Sequence, residues 1–170
     1  TACDLLHRAA TMLTPLYDAA LALVPAAVDV QADETSMRQH DRTGKAYLWV
    51  FLTPDLTVFR YATNRSGSVP SDVLGDSQGR LLGEAYTGYN VVTSTGRRVR
   101  AACWAHVRRK LFELRAHPEV ATVLALIGAL YLVEREATKA GIVGTAKHAV
   151  LRATRSRPIM ALIFRWARFH

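Results

Sequence analysis

The chain has 170 residues, half of them hydrophobic, and a formal net charge of +8. That length and apolar content suit one domain with a sizeable core and exclude a disordered tail. The cationic excess favours a polyanionic partner, nucleic acid before a membrane surface. Cys3 and Cys103 stand far apart with no Cys-x-x-Cys or Cys/His spacing, so reduced thiols in a cytoplasmic protein are expected and a disulfide is not.

The longest apolar run, Ala121 to Val133, covers about 13 residues, short of the roughly 18 to 20 that a bilayer span needs, and reads as a core helix. The start, Thr1-Ala-Cys-Asp-Leu-Leu-His-Arg8, lacks the basic opening and long apolar centre of a signal peptide. It also lacks an initiator methionine, which fits a chain that begins inside a longer reading frame, or one that has been processed or trimmed.

Leu5, Leu6, Ala9, Leu13, Leu16, Tyr17 and Leu21 recur at helical spacing over residues 4 to 23. Pro15 predicts either two short helices or a kinked one. Beyond Pro25 an apolar run, Val28-Asp-Val-Gln-Ala32, ends in two adjacent acids, Asp33 and Glu34. Ala46 to Leu52 and Leu56 to Ala62 follow, rich in β-branched and aromatic residues and joined by Thr53-Pro54-Asp55. These three runs predict a meander whose first strand ends at the acids.

Met37 to Lys45 is polar and contains Gly44, as a surface connection would. Ser68 is placed to cap a short helix from Val69 to Leu74. Arg80 to Glu84 predicts a fourth strand that again ends in an acid. A turn at Ser94-Thr-Gly96 and a fifth strand at Arg98 to Trp104 follow. The remainder reads as helices at 105–115, 119–139 and 145–170, the last interrupted at Pro158. The expected domains are an N-terminal helical segment (1–27), a core (28–117) and a helical region (118–170). The expected fold class is α/β, a ribonuclease-H-like mixed sheet with a helical C-terminal region.

Two-metal phosphoryl transfer needs carboxylates brought together from different strands, because two ions a few ångströms apart must hold both the attacking and the leaving oxygen. Asp33 and Glu84, closing strands one and four, are hard oxygen donors that suit Mg²⁺. A solvated acid at each strand end is the plainer reading. Glu34 would point to the opposite side from Asp33 if the strand continued, and reads as a surface charge. Glu134 and Glu136 offer a third carboxylate, or a polar helix face pairing with Arg135 or Lys139. His106 is placed either to meet a phosphate or to bond backbone at a helix start. Arg97, Arg98, Arg100, Arg108, Arg109 and Lys110 cluster around Trp104. Such a patch suits contact to a nucleic-acid backbone, or is a solvated helix face. With no glycine-rich phosphate loop, Gly-x-Ser-x-Gly elbow or dinucleotide fingerprint, nucleotide-cofactor redox and serine-hydrolase chemistry have no foothold.

Several blocks together resemble the transposases of the insertion-sequence-sixty-six type, of the class with a catalytic Asp-Asp-Glu triad. They are Ala32-Asp-Glu-Thr35, Thr43-Gly-Lys-Ala-Tyr-Leu-Trp-Val50, Arg65-Ser-Gly67, Tyr86-Thr-Gly-Tyr-Asn90, Cys103-Trp-Ala-His-Val-Arg-Arg-Lys110 and Arg155-Ser-Arg-Pro158. The resemblance implies a ribonuclease-H-like core with Mg²⁺ or Mn²⁺, acting on DNA at mobile-element ends, with assembly of several copies on the DNA left open. Asp33 matches the first triad aspartate. Glu84-Ala85-Tyr86 stands where the family has Asp-Gly-Tyr, which lengthens the second acid by one methylene. The third carboxylate is expected in an Asn-Asn-x-x-Glu-Arg-like segment that these residues do not contain, with Glu134 as the internal substitute. On these grounds the chain is expected to be the central piece of a transposase, inactive as it stands. A non-catalytic DNA-binding remnant and a Mg²⁺-dependent nuclease of the same fold are the alternatives.

Overall fold

The computed structural model describes residues 1–40, 43–94 and 97–170. The chain divides into two compact units, Thr1–Cys103 and Trp104–His170. Part of the polar connection at 37–45 and the turn expected at Thr95-Gly96 lie outside the described residues.

In the first unit, β1 (Asp29–Arg38), β2 (Lys45–Leu52) and β3 (Thr57–Ala62) form the antiparallel meander. β4 (Gly79–Gly83) and β5 (Arg98–Ala102) add parallel to β1, giving the order β3-β2-β1-β4-β5. This is the mixed sheet of a ribonuclease-H-like α/β fold. β1 is longer than its apolar run. Pairing with β2 continues from Glu34 opposite Trp49 to Arg38 opposite Lys45, so residues 34–38 find backbone partners beyond the apolar run that ends at Ala32. Asp33 therefore lies within the strand and not at its end.

Side chains alternate across a strand, and the parity shared by Val30, Ala32 and Glu34 faces the core. Val30 and Ala32 are buried there with Trp49, Phe51 and Leu81. Each large side chain so buried contributes about 1.5–3 kcal/mol. α2 (Ser68–Leu74) and the short α3 (Asn90–Thr93) cover this face with Val69, Val73, Leu74 and Val92. The opposite face leaves Phe59 and Val99 more than half exposed. The cap of α2 also differs from expectation. Gly67 takes the N-cap position, and Ser66 Oγ accepts from the Ser68 N–H at 3.2 Å.

α1 (Ala2–Leu23) is one continuous helix, opened by a capping box between Thr1 and Asp4. Pro15 sits inside it, so the chain does not divide there into two short helices, and no residue of the helix is buried. The Thr11 carbonyl that Pro15 cannot serve belongs to an exposed residue. Tyr17 ties the helix to the sheet by donating to the Phe59 carbonyl at 3.0 Å. By length and composition alone, residues 2–26 are apolar enough to cross a bilayer.

The second unit is helical: α4 (Trp104–Glu113), α5 (Pro118–Lys139), α6 (Ala146–Leu151) and α7 (Arg157–Phe169). Val120, Val123, Ile127, Leu130 and Val133 form the buried stripe of α5. Ile163 of α7 packs against its first four residues, and Trp166 Nε1 donates to the Glu119 carbonyl at 3.1 Å. A π-helical turn, Arg152–Ser156, joins α6 to α7 without a break. It widens the helix just ahead of Pro158, whose ring would clash with the carbonyl one turn back.

Candidate functional site

β1 and β4 are parallel neighbours, with Asp29 opposite Arg80 and Gln31 opposite Leu82. The same register carried two residues further sets Asp33 level with Glu84, on strands about 4.8 Å apart. Glu84 lies one residue beyond β4 and is partly open, its side chain 22% exposed.

The acid that composition and spacing assign to the surface, Glu34, is the most buried of the three, with 1% of its side chain exposed. The Arg65 Nε donates to Glu34 Oε1 at 2.7 Å, and its Nη2 donates both to Glu34 Oε1 and to Glu84 Oε1. The Tyr89 hydroxyl donates to Glu34 Oε2 at 2.6 Å. Burial pushes the Glu34 carboxyl above the usual glutamate value, against the hydrogen bonds from Tyr89 and Arg65 that favour its charged form. Burial and then the Glu34 carboxylate raise the Tyr89 hydroxyl well above a free tyrosine, with Asp33 and Glu84 adding to the field. All three acids thus act on one hydroxyl. The Asp33 side chain itself accepts from the Glu34 N–H at 3.0 Å.

Two blocks that are 19 residues apart meet here. The Arg65 guanidinium lies over the Tyr86 ring, 4.1 Å from its centre, and the Tyr86 hydroxyl donates to the Arg65 carbonyl at 2.5 Å. A Cβ on Gly67 would come within 2.8 Å of the Gly88 carbonyl oxygen, and one on Gly88 within 2.1 Å of the Tyr86 ring. Glycine at 67 lets the two backbones approach so closely, and glycine at 88 leaves room for the Tyr86 ring. Glu34 was missed because a carboxylate among polar neighbours looks solvated. Its parity with Val30 and Ala32 was the available signal.

The basic cluster divides. Arg98 is 1% exposed and donates to Ser77 Oγ and to the carbonyls of Arg80, Pro25 and Ala27. Arg100 donates to the carbonyls of Glu84 and Tyr86 and to Asn90 Oδ1, which fixes the segment carrying Glu84. Both guanidinium groups are committed to the protein. Arg97 pairs with Asp76 and Lys110 with Glu113, all at the surface. Arg108 and Arg109 are exposed on α4, and His106 is half-buried there.

Glu134 belongs to the second unit. It accepts from Arg152 Nε at 2.8 Å and Nη2 at 2.6 Å, and its Oε2 lies 3.1 Å from His148 Nε2. The Gly144 N–H donates to His148 Nδ1, which leaves Nε2 to donate to Glu134. The Arg152 hydrogen bonds hold the Glu134 carboxyl below the ordinary value. Glu136 pairs with Arg155. Both partners come from the segment after α5, not from Arg135 or Lys139, because the chain turns back along α5 and brings cations onto its polar side.

A hard divalent ion takes one or two carboxylates and completes its shell with water and substrate phosphate, and Asp33 and Glu84 are oxygen donors of that type. Among the described residues no three His, Cys, Asp or Glu side chains converge as a metal cluster.

Sheet order and acidic residues define a ribonuclease-H-like protein whose carboxylates gather where β1 and β4 run side by side. The chain belongs to the family described as "Transposase IS66 family", whose model matches residues 1–170. Its function is accordingly of the transposase type, with DNA as the family's partner and divalent metal as its usual cofactor. No curated protein and no solved structure matches the chain.

Proposed function

We propose that these residues serve DNA strand cleavage and transfer at insertion-sequence ends, and that by themselves they bind DNA and one divalent ion without completing strand transfer. The observation that carries this reading is the parallel pairing of β1 with β4, whose last partners, Gln31 and Leu82, each lie two residues before an acid, Asp33 and Glu84. Asp33 and Glu84 hold the ion, Mg²⁺ or Mn²⁺. When bound, it supplies Lewis-acid polarisation of a phosphoryl oxygen. Arg97, Arg108, Arg109 and Lys110 meet the phosphate backbone, while Arg98 and Arg100 position the strands that carry the acids. The engagement of Glu134 by Arg152 and His148 supports a third carboxylate other than Glu134. Work on DNA places the protein in the bacterial cytoplasm, at the nucleoid when bound.

The test is a divalent-metal-dependent nicking assay on the element's own ends. Glu84→Asp, which restores the family's residue, is expected to tighten Mn²⁺ binding and leave strand transfer absent. Adding an Asn-Asn-x-x-Glu-Arg-like segment and a DNA-end-binding region to that variant is expected to bring it back. Metal-dependent cleavage by the unmodified chain that Glu134→Gln abolishes would make these residues a compact active enzyme instead.

A further inference from the structure

Arg65 is built differently from Arg98, which is tied into the first unit's interior. Arg98 is buried and donates only to uncharged oxygens. Arg65 is 38% exposed and lies between two carboxylates, one closed off and one open. Its Nε and Nη2 both serve Glu34, whereas Nη2 alone reaches Glu84. Giving up Glu84 therefore costs one bond and leaves the rest of the arrangement standing. Glu34 keeps Arg65 and Tyr89, and the guanidinium keeps its place over Tyr86.

We propose that Arg65 is the resident cation of the acidic site and exchanges with a divalent ion for Glu84. It holds the Glu84 carboxylate in place when no ion is bound and sets how tightly an ion is taken up. This rests on Asp33 and Glu84 being the ion's ligands. A divalent ion on Glu84 would stand beside the positive guanidinium, and like charges a few ångströms apart in a partly desolvated site repel strongly. Ion binding and the bond from Nη2 to Glu84 therefore compete. Arg65 acts through Glu84 and is a positioning residue. The short Arg65-Ser66-Gly67 stretch, docked through Gly67 on Gly88, keeps it within reach of both acids.

The experiment measures Mn²⁺ affinity of the full 170-residue chain by electron paramagnetic resonance and follows the Arg65 side-chain ¹⁵N signal during the titration. Arg65→Gln is expected to bind Mn²⁺ about tenfold more tightly, since it removes the competing charge. In the unmodified chain the Arg65 signal is expected to shift as Mn²⁺, or diamagnetic Mg²⁺, is added. Should Arg65→Gln strand Glu34 and fail to fold, Glu34→Gln/Arg65→Gln, which leaves no buried charge unpaired, is compared with Glu34→Gln alone and should show the same gain. Equal or weaker affinity without Arg65, with binding still lost in Asp33→Asn, overturns the exchange and leaves Arg65 a structural clamp. No Mn²⁺ binding with or without Arg65 overturns the ligand assignment itself, and the exchange with it.

Discussion

Glu34 shows how one position in a strand decides the chemistry of a side chain. Its neighbour Asp33 has the same charge and opposite parity, while Glu34 is enclosed between Arg65, Tyr89 and the core face of the sheet. Because the folded value of Glu34 is raised, chiefly by burial, its carboxyl is expected to titrate above its ordinary 4.5 in a carboxyl-carbon NMR experiment. The sign for stability follows. The group favours the folded state fully below the unfolded value, and that contribution is lost as pH climbs through the folded one. Tyr89→Phe keeps the ring against Trp49 but removes the donor to Oε2. It is expected to raise the Glu34 midpoint further and to destabilise the first unit by about 1–3 kcal/mol at neutral pH. A midpoint that stays put or falls in Tyr89→Phe would show that the hydroxyl does not hold the carboxylate. The parity argument was available from the sequence, since Val30, Ala32 and Glu34 are spaced by two. What was lacking was the continuation of β1, which its pairing with β2 supplies.

At the scale of elements, α5 is joined to the segment that follows it by ions as well as by its apolar stripe. Arg152 and His148 reach Glu134, and Arg155 reaches Glu136. A depressed carboxylate value stabilises above the unfolded pKa, and the gain is lost as pH falls through the folded value. The second unit is therefore expected to lose a small increment of stability as pH falls below the ordinary glutamate value of 4.5. That increment is on the order of 0.5 kcal/mol, because 39% of the Glu134 side chain is exposed and water screens the pair. Denaturant unfolding followed by Trp166 fluorescence should show this slope, and Glu134→Gln should flatten it. The helices 105–115 and 119–139 are close to α4 and α5, since a stripe at intervals of three and four is a local property. The ion pairs across them were not legible, because local spacing offers Arg135 and Lys139 as equally good partners. Pro15 does not divide its helix in two, and Pro158 does not interrupt the last helical stretch. The first is tolerated where no residue is buried, and the second is accommodated by the π turn ahead of it.

For the whole molecule, the cationic excess predicts binding to duplex DNA with a steep salt dependence, a log-log slope of about −0.9 for each phosphate neutralised. Arg108→Ala/Arg109→Ala is expected to flatten that slope by about one to two units without unfolding the chain, both side chains being exposed. An unchanged slope in the double variant would mean that α4 presents only a solvated face. Arg98 is a poor choice for the same test. Removing it leaves acceptors on Ser77, Arg80, Pro25 and Ala27 without their donor, so a loss of binding would report unfolding.

The sequence by itself determined the class of fold, the meander and the family. Alternation, apolar stripes and the blocks around Asp33, Tyr86 and Trp104 are local patterns, and local patterns survive without coordinates. Tertiary structure alone decided which charges are engaged. Arg98 and Arg109 are the same residue in the same basic run, and one is enclosed by carbonyls while the other faces water. Arg65, Glu34 and Glu84 carry no mutual signal along the chain, because the strand pairing that brings β1 beside β4 sets their meeting. A charge in water and a charge against an opposite charge have the same letter in a sequence; burial and distance distinguish them, and both are properties of the folded chain.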